Sequence, residues 1–430
     1  MRRTSFVLVV VLSMARQSPA QTARPHFRFD FGPGKVSAGF TQILGNTVYD
    51  PATGYGFEPG PQVSCLDRGG DDPLRSDFCT SDRPFFFSVR LPEGNYKITV
   101  TLGDETAAST TTVKAELRRL MLERVHTVPG QFVVRTFTVN IRTPRISDGR
   151  EVRLKEREKR EEATAWDDKL TLEFNDARPA VCALEITPVD NAVTVFLLGD
   201  STVCDQPLEP WNSWGQMLPR FFTPGVAVAN NAESGESLRT SLSAGRLDKV
   251  LSAIKPGDYL FIQYGHNDMK EKGEGIGAFT SYKTDLDHFV DETLKHGGTP
   301  VLVTSVQRRT FDAEGKITNS LGDYPEAVRR VAKEKGVALI DLNTMSRAFY
   351  ETMGPENSKK AFVDNTHHNS YGSYELAKCV VEGIKASKLG LASFLVDEAR
   401  TTFDPAHPDP VETFSIPPSP TLASAKPDGN

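Results

Sequence analysis

Five positions spread over 167 residues could together break an ester bond. Ser201 stands two residues past the apolar run of "VTVFLLGDSTVCDQP" (residues 193–207). A serine hydroxyl becomes a nucleophile only when a base takes its proton and a third group orients that base. In "FVDNTHHNSYG", Asp364 precedes His367 by three residues. That spacing lets one turn present the carboxylate to the imidazole Nδ1 while Nε2 faces the serine. The tetrahedral intermediate also needs donors aimed at its oxyanion. "NNAESGESLRT" offers the Gly235 N–H, which no Cβ screens, "YGHND" offers the Asn267 amide, and Ser201 offers its own N–H. His266 is read either as a satisfied turn histidine or as a residue that positions substrate. His368 and Asp200 are read as structural.

These side chains must be brought to one edge, and the surrounding pattern does so. From residue 192 onward, apolar strands ("VTVFLLG", "VAVANN", "DYLFIQYG", "TPVLVTSV", "VALIDL") alternate with helical segments such as "SLSAGRLDKVLSAI", "YKTDLDHFVDETLKHG" and "YPEAVRRVAKEKG". Five strands joined by helices imply a three-layer α/β fold with a parallel sheet, whose strand carboxyl ends gather the chemistry. Residues 25–190 instead show short β-rich runs with period-2 alternation and turn residues, the pattern of a β-sandwich of the jelly-roll kind. Within them, "GREVRLKEREKREEATAWDD" (residues 149–168) mixes both charge signs and reads as a solvated loop or ribbon without chemistry. The expected units are therefore a β-sandwich at 25–190, an α/β unit at 191–398 and a Pro-rich tail at 399–430. That tail should be extended or disordered, or wrap over the body without a core of its own.

Composition narrows the function classes. The 430 residues carry a formal net charge of -6, which gives no general field for nucleic acid. Arg2, Arg3, the apolar run at residues 6–12 and the small residues Ser18 and Ala20 read as a secretory signal over residues 1–20, implying export. No later run approaches the roughly 20 apolar residues that span a bilayer. The five cysteines have no metal-ligand spacing; Cys65 and Cys79 form the plausible local pair, and Cys182, Cys204 and Cys379 read as buried structural residues. No HExxH or phosphate loop occurs, so neither a metal nor a cofactor is expected.

The four blocks "GDST", "NNAESGES", "GHND" and "DNTHH", in this order, resemble those of the SGNH (GDSL) hydrolase superfamily, and the chain is similar within it to rhamnogalacturonan acetylesterase-type enzymes. The order Ser, Asp, His fits an α/β hydrolase. The β-rich region, with "FDFGPG" and "GYGF", is similar to the galactose-binding-like domain that precedes the hydrolase in some members. The resemblance implies a flavodoxin-like hydrolase unit with Ser201 as nucleophile, Asp364 and His367 completing a triad, and Ser201, Gly235 and Asn267 as oxyanion hole. It implies a secreted serine esterase that removes O-acetyl groups from a pectic polysaccharide through an acetyl-enzyme, without a cofactor. A pectic backbone is anionic and the protein is acidic, so basic groups must gather locally; Arg239, Arg308 and Arg309 follow the second and fourth strands and are the candidates. Two rivals remain at this point. One is a lipase or thioesterase with an acyl pocket lined by Trp211, Trp214, Phe221 and Phe222, and the other a non-catalytic carbohydrate-binding protein.

Overall fold

The computed structural model describes residues 24–420, so the expected leader at residues 1–20 lies outside the described residues. Between Phe27 and Pro188 the β-branched and aromatic runs pair into two sheets, one of seven strands and one of five. Strand Gly94–Gly103 shows how alternation builds this region: Tyr96, Ile98, Val100 and Leu102 are fully buried while Lys97 is exposed. It pairs antiparallel with Phe132–Ile141 on one side and Val181–Pro188 on the other. Between the sheets, Phe87 meets Phe29, Phe31 and Phe57 edge-on at 5.2, 5.1 and 5.3 Å. Such pairs add about 0.5–1.5 kcal/mol each beyond the area they bury. A disulfide joins Cys65 to Cys79 across adjacent strands, and Cys182, Cys204 and Cys379 are free and buried.

The second sheet system is parallel throughout, in the order Val226–Asn230, Val193–Gly199, Tyr259–Gln263, Thr299–Val303, Ala338–Ile340. Its central strands are apolar on both faces because helices cover both. Val195 and Leu197 pack with Trp214, Met217, Leu376 and Val380 on one side. Phe196 and Leu198 pack with Leu238, Leu247, Leu286 and Phe289 on the other. Gly336, at φ 65°, ends helix Tyr324–Lys335, while "SLSAGRLDKVLSAI" forms two helices, Leu238–Ser243 and Arg246–Leu251, separated by Gly245. The first strand lies between the second and the third, so the chain reverses its direction of winding there. A crevice opens at the carboxyl ends beside such a reversal, and Ser201 stands at that point.

Two segments differ from the sequence reading. Residues 149–168 are not a solvated ribbon: Glu158 is 0% exposed, Glu162 3% and Trp166 6%. Their charges find partners on the α/β unit instead of in water, Glu158 with Arg246 at 2.6 Å and Arg150 with Asp248 at 2.6 Å. The tail takes the wrapping course, and its last described residues return to the β-rich region. Ser419 Oγ donates to Glu173 at 2.7 Å and Lys114 Nζ donates to the Pro417 carbonyl at 2.8 Å. Among the described residues, no helix is long and apolar enough to cross a membrane.

Candidate active site

The first strand delivers Ser201 through a turn that only glycine admits at its entrance. A Cβ on Gly199 would lie 2.6 Å from Val203 Cγ2 and 2.8 Å from the Gln263 carbonyl. Beyond it, the Val203 and Cys204 amides donate to the Asp200 carbonyl at 3.0 Å, and the Thr202 amide donates to Asp200 Oδ1 at 3.0 Å. Asp200 thus organises the turn while the neighbouring Ser201 side chain faces the crevice. Burial pushes the Asp200 carboxyl up, but the charge and hydrogen bond of His266 and the Thr202 donors outweigh it and hold the group below its ordinary value.

Asp364 and His367 arrive on the loop before helix Ser370–Ala386. Asp364 Oδ1 accepts the Thr366 and His367 amides at 2.7 Å each, and its Oδ2 lies 3.0 Å from His367 Nδ1. His367 Nε2 lies 2.8 Å from Ser201 Oγ. The structure therefore brings these three residues into one hydrogen-bonded line. Burial raises the Asp364 carboxyl, yet the bonds from the His367 ring and the two amides more than offset it, leaving the group ionised well below the usual carboxylate range. Trp211 closes one side, its ring edge-on to His367 at 5.5 Å.

The donor candidates lie on the neighbouring strands. Gly235, at φ 78°, occupies the left-handed region that favours glycine, and the Ser201 and Gly235 amides meet no acceptor among the described residues. Asn267 Nδ2 gives one hydrogen to the Glu236 carbonyl at 3.0 Å, and its Oδ1 accepts from Lys270 Nζ at 3.3 Å. That leaves the second amide hydrogen of Asn267 for a ligand.

The remaining candidates separate. His266 places Nδ1 3.0 Å from Asp200 Oδ2 and Nε2 2.9 Å from the Val306 carbonyl. Both ring nitrogens therefore face protein oxygens, which fits the satisfied-turn alternative. His368 Nε2 meets the Tyr350 hydroxyl at 2.7 Å, and burial drives its pKa down to about 3. Arg239 is turned away into pairs with Glu271 at 3.7 Å and Asp285 at 3.5 Å. Arg309 binds Asn365 Oδ1 at 2.7 Å on the exposed side of the triad loop. Arg308 differs: its guanidinium meets Thr366 Oγ1, the His266 and Ser320 carbonyls and Met269 Sδ at 3.2–3.3 Å. No carboxylate lies within ion-pair distance of it among the described residues. Burial lowers its pKa, and burial together with Arg308 lowers that of Lys270. The sequence reading passed over Lys270, whose one signal was its position three residues after Asn267.

Of the four aromatics proposed for an acyl pocket, Trp214, Phe221 and Phe222 belong to the core beneath the sheet, and Trp214 Nε1 donates to Gln263 at 2.9 Å. Only Trp211 borders His367. The one group of acids among the described residues with ligand atoms close enough for a cation, within 4.8 Å of one another, is Glu158, Glu162 and Glu233. Arg157 and Arg246 lie in ion-pair contact with these carboxylates.

Residues 197–373 match the GDSL-like lipase/acylhydrolase family, and residues 27–142 match the galactose-binding domain-like module of β-agarases and YXIM-type esterases. The rhamnogalacturonan acetylesterase RhgT of Bacillus subtilis is 42% identical over 221 residues, spanning 47% of this chain and 94% of its own. The uncharacterized esterase YxiM of the same organism is 29% identical over 403 residues, covering 90% of this chain and 98% of its own. A solved structure of YxiM aligns over 85% of this chain and 99% of that one, at 27% identity and a TM-score of 0.47.

Proposed function

The chain belongs to the GDSL-like lipase/acylhydrolase family, and from that membership we propose that it is an exported acetylesterase acting on O-acetylated pectic polysaccharide of the rhamnogalacturonan type. The observation that carries the chemistry is the line from Ser201 Oγ through His367 to Asp364, with spacings of 2.8 and 3.0 Å. His367 Nε2 takes the hydroxyl proton as Oγ attacks the acetyl carbonyl carbon. The oxyanion develops beside the N–H groups of Ser201 and Gly235 and the Asn267 amide. When it collapses, the ester C–O bond breaks, the sugar hydroxyl leaves with the proton from His367, and the acetyl group stays on Ser201. Water, deprotonated by the same imidazole, then releases acetate.

The 42% identity to a protein named rhamnogalacturonan acetylesterase supports the substrate class, and so does Arg308, a half-buried cation beside the triad loop that can face a uronate carboxylate. The Cys65–Cys79 bond fits an oxidising compartment. The test is acetate release from acetylated pectins, xylans and mannans by wild type and by Ser201→Ala. Pectic substrate should be preferred, and the variant should lose at least 10³-fold in kcat, as roughly expected on removing a nucleophile. A variant keeping a tenth of the activity, or a preference for xylan, would overturn the respective half of the proposal.

A further inference from the structure

The charged segment at residues 149–168 belongs to the β-rich region, yet its side chains reach the loop that carries Gly235. Lys155 Nζ donates to the Ser234 carbonyl at 2.5 Å and pairs with Glu236 Oε1 at 3.2 Å. Arg157 Nη2 donates to Ser234 Oγ at 2.9 Å and pairs with Glu162 at 2.6 Å and Glu233 at 3.6 Å. Gln206, whose Nε2 also donates to the Ser201 carbonyl at 2.8 Å, meets the same Ser234 Oγ at 3.2 Å.

Ser234 C=O and Gly235 N–H belong to one peptide unit. In a trans peptide the two point in opposite directions because the unit is planar. A cation fixed on the carbonyl oxygen therefore fixes the direction of the N–H on the other side, and by polarising the amide it strengthens that N–H as a donor. The Lys155 ammonium also holds the Glu236 side chain, and the Glu236 backbone carbonyl accepts the Asn267 amide at 3.0 Å. One lysine from the β-rich region thus touches the supports of two of the three oxyanion donors.

We infer that Lys155 is a positioning residue of the esterase, aiming the Gly235 N–H at the developing oxyanion from the neighbouring domain, with Arg157 bracing the same loop through Ser234. The inference rests on the proposed roles of Ser201 and Gly235. The β-rich region is on this view part of the catalytic unit.

Lys155 is 32% exposed at its side chain, so Lys155→Met should fold. The experiment measures kcat and KM on an aryl acetate per active serine, titrated with an organophosphate, for wild type, Lys155→Met and Lys155→Arg. Lys155→Met should lower kcat roughly tenfold to a hundredfold, the range expected when a donor is misaimed or lost. KM should stay within about twofold, because an oxyanion donor acts mainly in the transition state. Lys155→Arg should restore most of kcat. An aryl boronate, which forms a tetrahedral adduct on serine, should bind Lys155→Met more weakly by the same factor as the loss in kcat. A merely structural lysine would lower the melting temperature or the titrated fraction and leave kcat per serine unchanged, and that outcome overturns the inference. If wild type is inactive, or Ser201→Ala is as active as wild type, the functional proposal itself has failed; an active wild type with an unaffected Lys155→Met sinks this inference alone.

Discussion

An imidazole 2.8 Å from a serine oxygen serves as its base only while the ring is kept from turning. Here the Asp364 carboxylate accepts three hydrogen bonds, from the His367 ring and from the Thr366 and His367 amides, so orientation is established before substrate arrives. The same loop carries Thr366, which binds Arg308, and this links the cation to the triad. Arg308→Ala should raise KM for acetylated pectic oligosaccharides by about tenfold while leaving kcat on a neutral aryl acetate within twofold, and added salt should reproduce part of the loss. Equal effects on both substrates would show that Arg308 only braces the loop. At this scale much was legible in the sequence. Ser201, Asp364 and His367 announce themselves by type, spacing and position after apolar strands. Arg239 does not, because nothing in "ESLRT" tells that Glu271 and Asp285 lie close enough to pair with it. Lys155 was hidden for a different reason: a lysine among mixed charges has the sequence signature of a solvated surface, and only tertiary structure shows what it touches.

The loop between strand Val226–Asn230 and helix Leu238–Ser243 is the element where chemistry and domain contact coincide. Glu233, at its start, is buried among Glu162, Glu158, Arg157 and Arg246. Burial and the neighbouring carboxylates raise its pKa well above the ordinary 4.5, against the pull of the two arginines. Because the folded value lies above the unfolded one, the stability this group contributes is fully present below about 4.5. It is lost as pH rises through the folded value, at a limiting rate of about 1.4 kcal/mol per pH unit. Glu233→Gln removes the ionisation at nearly constant shape. The melting temperature of wild type should therefore fall relative to that of Glu233→Gln as pH is raised from 5 to 9, and curves that stay parallel would show that the folded value is not raised above the unfolded one. Strand and helix types around this element were readable from periodicity, since alternating apolar runs and amphipathic repeats depend on local sequence. The burial of residues 149–168 was not, because charges that pair across an interface leave the same pattern as charges that pair with water.

At the scale of the whole molecule the two units share buried groups as well as a surface. Leu120, from the β-rich region, sits in the core of the α/β unit. Beside it Arg119 Nε donates to Asp205 at 2.9 Å, with both side chains 2% exposed. Arg118 pairs with Glu209 and donates to the Trp211 carbonyl at 2.9 Å, behind the ring that borders His367. The described end of the tail completes a second junction, in which Lys114, Glu173 and Glu209 meet Ser419. A chain ending at Phe414 would leave Lys114 and Glu173, 4% and 3% exposed, with fewer partners. The cost should be about 1–3 kcal/mol, read as a drop of several degrees in a calorimetric melt, with kcat at 25 °C unchanged. An unaltered melt would mean that the tail lies on the surface without supporting it.

The Lys114–Pro417 bond spans 303 residues, and it gives the protein a schedule. A polypeptide is made from its N-terminus at about 5–20 residues per second, so roughly 15–60 s separate the synthesis of the lysine from that of its acceptor. Throughout that interval the β-rich region must hold an ammonium that its finished form buries, and water has to serve in place of the missing carbonyl. Its strands can pair early, and Glu173 lies 3.6 Å from that ammonium within the same region, but the carbonyl reaches it only once residue 417 has been made. A product that stops before residue 417 would carry an open seam on its β-rich region, a place for a quality-control protease to act.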